Sequence, residues 1–299
     1  MRQRWLLNLV LLGVALMLGL SVFFSIEEPT VLPKLINLEA EQVQSIHIEQ
    51  VGSKSISFMK DTLGFWQMTT PNHLPASRFR IMTLLEMLSA REYTQLDTSE
   101  LNLAELKLDP PLATVKFNQL AVAFGDSSPM NDRRRYLLIN KKVYLLADTV
   151  YESVNADTLS FVSLSPLGNN PTITELKMPD NLMVLTEGEW ILTSTFFSDE
   201  IDSSQDAIKH FIDNWQQLQA FRVAPYVEGS TQKPIDIRLA NQEEVLHFTM
   251  MSSEQDFILG RPEKGVQYQL PISQADKLQH LPTKAKVVDS TVLENKKEE

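Results

Sequence analysis

Apolar and polar positions in this chain follow a program that is written out twice. Ile46-His47-Ile48-Glu49 and Ser55-Ile56-Ser57-Phe58 alternate apolar with polar, the period-two mark of half-buried strands. Gly52-Ser53 and Asp61 to Gly64 supply turn chemistry, and Phe65-Trp66-Gln67-Met68 is a third strand of the same antiparallel meander. Pro75-Ala76-Ser77 then opens a helix on which Ile81, Leu84, Leu85 and Leu88 fall at i, i+3, i+4 and i+7, one face that belongs on the sheet. Four strands follow: Ala113 to Phe117, Leu120 to Phe124, Tyr136 to Ile139 and Val143 to Leu146. Asn118-Gln119 and Asn140-Lys141 suit tight hairpin turns between them.

The second statement begins at Thr172-Ile173-Thr174 and Gly188-Glu189-Trp190-Ile191-Leu192-Thr193. Asp202-Ser203-Ser204 offers N-cap residues to a helix whose stripe is Ile208, Phe211, Ile212 and Trp215. Pro234 leads the strand Ile235 to Leu239, and Val245 to Thr249, Phe257 to Leu259 and Val266 to Leu270 complete the set. The two copies align if the second carries a longer loop at about Thr195 to Asp202. The pattern predicts an α+β fold of two related modules, each β-β-β-α-β-β-β-β, with antiparallel sheet covered by one main helix. The first module spans residues 37–162 and the second 172–282, with Ser160 to Pro171 as a hinge and a charged, disordered tail over 283–299.

A single N-terminal transmembrane helix is expected ahead of both. From Trp5 to Phe24 only Asn8 and Ser21 interrupt an apolar run, and twenty residues at about 1.5 Å each span a bilayer's hydrocarbon core of roughly 30 Å. Arg2 and Arg4 precede it and Glu27 and Glu28 follow, which sets the N-terminus in the cytoplasm and the rest outside. A cleaved signal peptide is the rival, but Val22-Phe23-Phe24-Ser25-Ile26 is bulky where a peptidase needs small residues. The anchor is placed at 1–25 and an extended tether, with Pro29 and Pro33, at 26–36. The expected location is a bacterial inner membrane, crossed once, with the main domain in the periplasm.

Charge and residue inventory remove several function classes. The net charge of −11 disfavours nucleic acid, which requires a basic surface to displace counterions. With no cysteine there is no lipoprotein acylation, disulfide, thiol catalysis or thiolate metal site. The five histidines show no H-E-x-x-H or H-x-H spacing. Asp206, His210 and Asp213 share a helix face, which the solvated stripe of an amphipathic helix explains better than a metal site. The acidic run Asp199, Glu200, Asp202, Asp206 lacks the glycine and final glutamate of a calcium loop. No G-x-S-x-G, P-loop or G-x-G-x-x-G is present. No catalytic, cofactor or metal residue is expected. Arg133, Arg134 and Arg135 form the one dense basic run, a candidate anion or partner contact.

Ile46-x-Ile48, Phe65 to Pro71, Ala76-Ser77, Leu84-Leu85-x-x-Leu88, Leu108-Asp109-Pro110-Pro111, Phe124-Gly125-Asp126, Tyr136 and Val143-Tyr144-Leu145 resemble the domain of unknown function family DUF4340. The resemblance runs from about Val43 to Leu159. It implies an N-terminal membrane span and an extracytoplasmic domain, often encoded beside ABC-transporter or gliding-motility-type export components. Its motifs are structural, so it transfers no catalytic residue. The leading expectation is a non-catalytic accessory or scaffold subunit of an envelope transport or assembly complex. One alternative is a periplasmic small-ligand or glycan-binding module using the cleft between repeats. The other is a hydrolase with dispersed carboxylates.

Overall fold

Alternation becomes sheet as expected, and the turns close where their residues permit positive φ. A computed structural model of the chain describes residues 12–14, 16–17, 33–129, 133–195, 200–229, 232–240, 242–252 and 256–284. Most of the anchor and tether, positions 196–199 of the second module's longer loop and residues 285–299 of the tail lie outside these. Residues 12–14 and 16–17 are helical. Among the described residues no helix is long and apolar enough to cross a membrane.

The first sheet contains β1 (Ser45–Gln50), β2 (Ile56–Lys60), β3 (Trp66–Thr70), β4 (Leu74–Pro75), β5 (Tyr93–Leu96), β6 (Ala113–Phe117), β7 (Leu120–Ser127), β8 (Arg134–Ile139) and β9 (Lys142–Ala147). Their spatial order is β4-β3-β2-β1-β6-β7-β8-β9-β5. The second contains β10 (Ile173–Lys177), β11 (Asn181–Thr186), β12 (Glu189–Ser194), β13 (Arg222–Pro225), β14 (Lys233–Leu239), β15 (Leu246–Ser252), β16 (Asp256–Arg261) and β17 (Val266–Pro271). Its order is β12-β11-β10-β14-β15-β16-β17-β13. Apart from the two-residue β4, the two orders are the same, and every pairing is antiparallel. Asn140 (φ 50°) and Lys141 (φ 64°) make one hairpin turn, and Glu187 (φ 52°) with Gly188 (φ 90°) makes another. Two consecutive positive φ values match the right-handed twist of the strands they join.

The tryptophans that flag the repeat stand in matching places. Trp66 opposes Lys60 across β2 and β3, and Trp190 opposes Leu185 across β11 and β12. Two residues further along, one apolar row crosses the first sheet as Met68, Phe58, Ile46, Phe117 and Leu120. The second sheet repeats it as Leu192, Met183, Leu176, Ile237 and Leu246. Both helices keep the predicted faces. In the helix Arg78–Glu86 and the turn after it, Ile81, Leu84 and Leu88 are buried; in the helix Gln205–Gln216, Ile208, Phe211, Ile212 and Trp215 are. Ser204 caps the second helix by accepting the Ala207 N–H at 3.3 Å. Ser77, at the matching position, makes no side-chain cap.

Four expectations are corrected. The two modules of antiparallel sheet stand as expected, but among the described residues the helices are few and short, so the architecture is mostly β rather than α+β. Each module also has a strand between its helix and its later strands: β5 pairs with β9, and β13 with β17. These supply backbone partners to an edge that would otherwise lie open. The segment Ser160 to Pro171 is not a free hinge. Phe161 is fully buried 5.4 Å from the Phe58 ring, Leu167 is buried, and Ala76 bridges Val162. Backbone bonds tie it to both modules, from Ser163 N to Pro75 O (2.8 Å) and from Ala220 N to Leu164 O (2.8 Å). The tail, too, starts later than expected, since Thr283 bridges Ile201 and Lys284 N donates to Glu200 O at 2.7 Å.

Candidate functional site

At one end of the first sheet the strands stop short and leave an apolar groove of about 490 Å³. Its walls are Leu35, Ile36, Leu38, Phe117, Leu120 and Ile139. The rim carries the uncharged amides of Asn37, Asn118, Gln119 and Asn140. Apolar walls with a few polar rim groups are what binding hollows of this size offer. The groove is fixed by its own bonds. Leu35 N donates to Ala90 O at 2.8 Å, which holds the incoming segment against the end of the helix. The Asn118 side chain accepts from Gln44 N (2.9 Å) and Ser45 N (3.1 Å) and donates to Gln42 O (3.0 Å). A second hollow of about 370 Å³ lies near Glu86, Ser89 and Thr149. Both belong to the first module alone.

The same module shows apolar side chains on the outer face of its helix. Phe79 is 75% exposed and Met82 49%. Counting from the N-cap serines, the second helix has Asp206 and Lys209 at those positions. Core faces of the two helices match while the outward faces do not, so the difference is not demanded by the fold.

Arg133, Arg134 and Arg135 take three different environments. Arg135 is drawn into the structure: its guanidinium stacks 3.6 Å from the Tyr151 ring centre and bonds Asp148 (2.9 and 2.8 Å) and Gly125 O (2.6 Å). Arg134 donates to Thr94 Oγ1 at 3.3 Å. Arg133 is exposed in the turn ahead of β8, with φ 75°. Adjacent strand residues point to opposite faces, so a run of three could not converge once β8 began at Arg134.

Asp206 and His210 are exposed, and Asp213 accepts from Gln216 Nε2 at 3.2 Å. Among the described residues no group of three histidines or carboxylates gathers around a cation position.

A polar relay absent from the sequence reading lies on the outer face of β1 and β2. Ser57 Oγ is 2.8 Å from His47 Nδ1, and His47 Nε2 is 3.0 Å from Glu49 Oε1. Those are nucleophile–base–carboxylate distances. Lys116 also holds Glu49, at 2.9 Å. The Glu49 carboxyl is lowered from its ordinary range chiefly by that Lys116 bond, with His47 helping. None of the hollows above is lined by these residues. Cross-strand polar pairing on an open sheet face accounts for the cluster. Its only signal in the sequence is hairpin register, which sets His47 opposite Ser57.

In the second module Arg261 is 5% exposed on the core side of β16, 5.2 Å from the Phe248 ring centre. Tyr268 lies beside it, fully buried. Burial pushes the Tyr268 hydroxyl up to about 12, while the Arg261 guanidinium pulls the other way. An acid whose folded pKa is raised keeps its proton after the unfolded chain has lost it, so stability must fall as pH rises from about 10 to about 12. A loss of a few kcal/mol, on the order of 2–3, is expected across that window. Tyr268→Phe should flatten that limb in urea titrations followed by fluorescence.

No curated protein and no solved structure matches the chain significantly. The model of the domain of unknown function family DUF4340 matches residues 66–241. That match starts at Trp66 in β3 and ends just past β14, so it reaches well into the second module, beyond the stretch from which the resemblance was read. It covers more than half of the chain, which therefore belongs to the DUF4340 family.

Proposed function

We propose that this DUF4340 protein is a non-catalytic subunit, anchored once in the inner membrane with its sheets in the periplasm. In this reading it serves as a scaffold for an envelope transport or assembly complex. The observation that carries the proposal is the asymmetry between the modules. The first presents an open apolar groove and an apolar helix face, whereas the second has acid and lysine at the corresponding helix positions. Exposed apolar surface, here Phe79 and Met82 on the helix beside the partly buried Leu35, Leu38 and Leu120 at the groove, marks a site of association. Arg133 and Arg134, at the start of β8, are proposed as secondary contacts.

Purifying the tagged full chain from gently solubilised membranes tests this. The expected result is co-elution with a partner at fixed stoichiometry, in a particle heavier than the monomer. Recovery of the monomer alone under several mild detergents would contradict it. Ser57→Ala should leave complex formation and any cellular phenotype unchanged; loss of the phenotype with the complex intact would point to hydrolysis instead.

A further inference from the structure

The first module draws Arg135 into its structure and the second draws Arg261, but only the first supplies its arginine with an anion. Arg135 has a ring, a carboxylate and a carbonyl, from Tyr151, Asp148 and Gly125. Arg261 is the more deeply buried, with 5% of its surface open, and its guanidinium has the Phe248 ring at 5.2 Å. Among the described residues no carboxylate or carbonyl bonds that guanidinium. Of the acids on the adjoining turns, Glu243 and Glu263 are exposed and Glu244 lies 3.9 Å from Lys264. Tyr268, fully buried beside Arg261, has a hydroxyl without a hydrogen-bond partner among the described residues. The N–H groups of a guanidinium and the O–H of a phenol thus meet with no acceptor but the phenol oxygen itself. Donors gathered around one positive charge are complementary to an anion.

The fold does not demand an arginine here. Val122 faces Ile139 across β7 and β8, and Thr249 faces Gly260 across β15 and β16, which sets Phe248 against Arg261. Val122 and Phe248 each lie two residues beyond the shared apolar row, at Leu120 and Leu246. Arg261 therefore takes the place that buried Ile139 fills in the first module. A buried charge left uncompensated is strongly destabilising. We propose that Arg261 and Tyr268 together bind one small monoanion, of the size of chloride or formate, at this end of the second module's core. One negative charge neutralises the guanidinium, whereas a dianion would leave surplus charge beside Phe248 and the buried Val266 that faces Arg261. This site is separate from the scaffold reading and does not depend on it.

The test follows thermal unfolding of the full chain in detergent micelles at constant ionic strength, with sodium chloride replacing sodium gluconate. The melting temperature should rise saturably, by about 5–10 °C once chloride reaches roughly a hundred times its dissociation constant. Formate should match chloride. Tyr268→Phe should move the chloride curve to about tenfold higher concentration. Arg261→Met should abolish the response, and in gluconate it should melt no lower than the parent chain, because it removes an uncompensated charge and keeps an apolar stem. A misfolded variant would melt lower, so the two cases are distinct. Arg261→Met melting well below the parent in gluconate would show that the chain itself compensates the guanidinium, and would overturn the inference. Equal chloride responses in the parent and in Arg261→Met, or a response to hydrogen phosphate dianion alone, would overturn it too.

Discussion

Trp215→Ala is expected to lower the unfolding free energy by about 3–5 kcal/mol, the usual cost of emptying a large buried aromatic site. Trp215 is the largest fully buried side chain, the last of the stripe by which the second helix meets its sheet. Losses of that size are a large share of the roughly 5–15 kcal/mol that holds a domain folded, so the melting temperature should fall by about 10–20 °C. Trp215→Phe should cost far less. Among the described residues the indole Nε1–H is buried without a hydrogen-bond partner, and removing it relieves a standing desolvation cost. Urea midpoints of the two variants by circular dichroism check the pair. Similar losses in both would mean that the indole N–H is satisfied after all.

Asp148→Ala is the second large effect, at about 3–5 kcal/mol. Asp148 closes a nearly buried ion pair, with side-chain exposures of 11% for Arg135 and 19% for Asp148. Taking away the carboxylate strands the guanidinium between Tyr151 and the Gly125 carbonyl. Arg135→Met in the Asp148→Ala background should recover part of the loss, because it removes the uncompensated charge and keeps an apolar stem. A double variant less stable than either single variant would show that the Tyr151 stacking, not the charge pair, dominates.

These two sites show what could and could not be read from the chain. Trp215 was legible: the stripe of Ile208, Phe211, Ile212 and Trp215 recurs at helical spacing, and the fold buries all four. The repeat was legible for the same reason, because matched rows demand matched apolar positions, and Trp66 and Trp190 kept theirs. Strands β5 and β13 were not. Tyr93-Thr94-Gln95-Leu96 has exposed central residues and no alternation of burial; it is a strand because β9 offers it an unpaired edge, a fact of tertiary structure. Arg135 read as one of three exposed cations, since nothing local announces Asp148 thirteen residues on or the Tyr151 ring. The groove was invisible because three separate stretches of chain build it. The hydrogen bond from Asn72 to Lys264 O joins positions far apart in the chain, and no local pattern announces it.

The central claim is that an apolar surface of the first module, and no reactive group, carries the function. Site-specific photo-crosslinking in intact membranes tests it most directly, with a photoreactive amino acid at Leu120 or Leu38 and, as control, at Lys209 on the second helix. The account predicts one discrete adduct, identified by mass spectrometry as the same protein from both groove positions and absent from the control. Adducts of equal yield and identity from all three positions, or none from the groove while function persists, would contradict it.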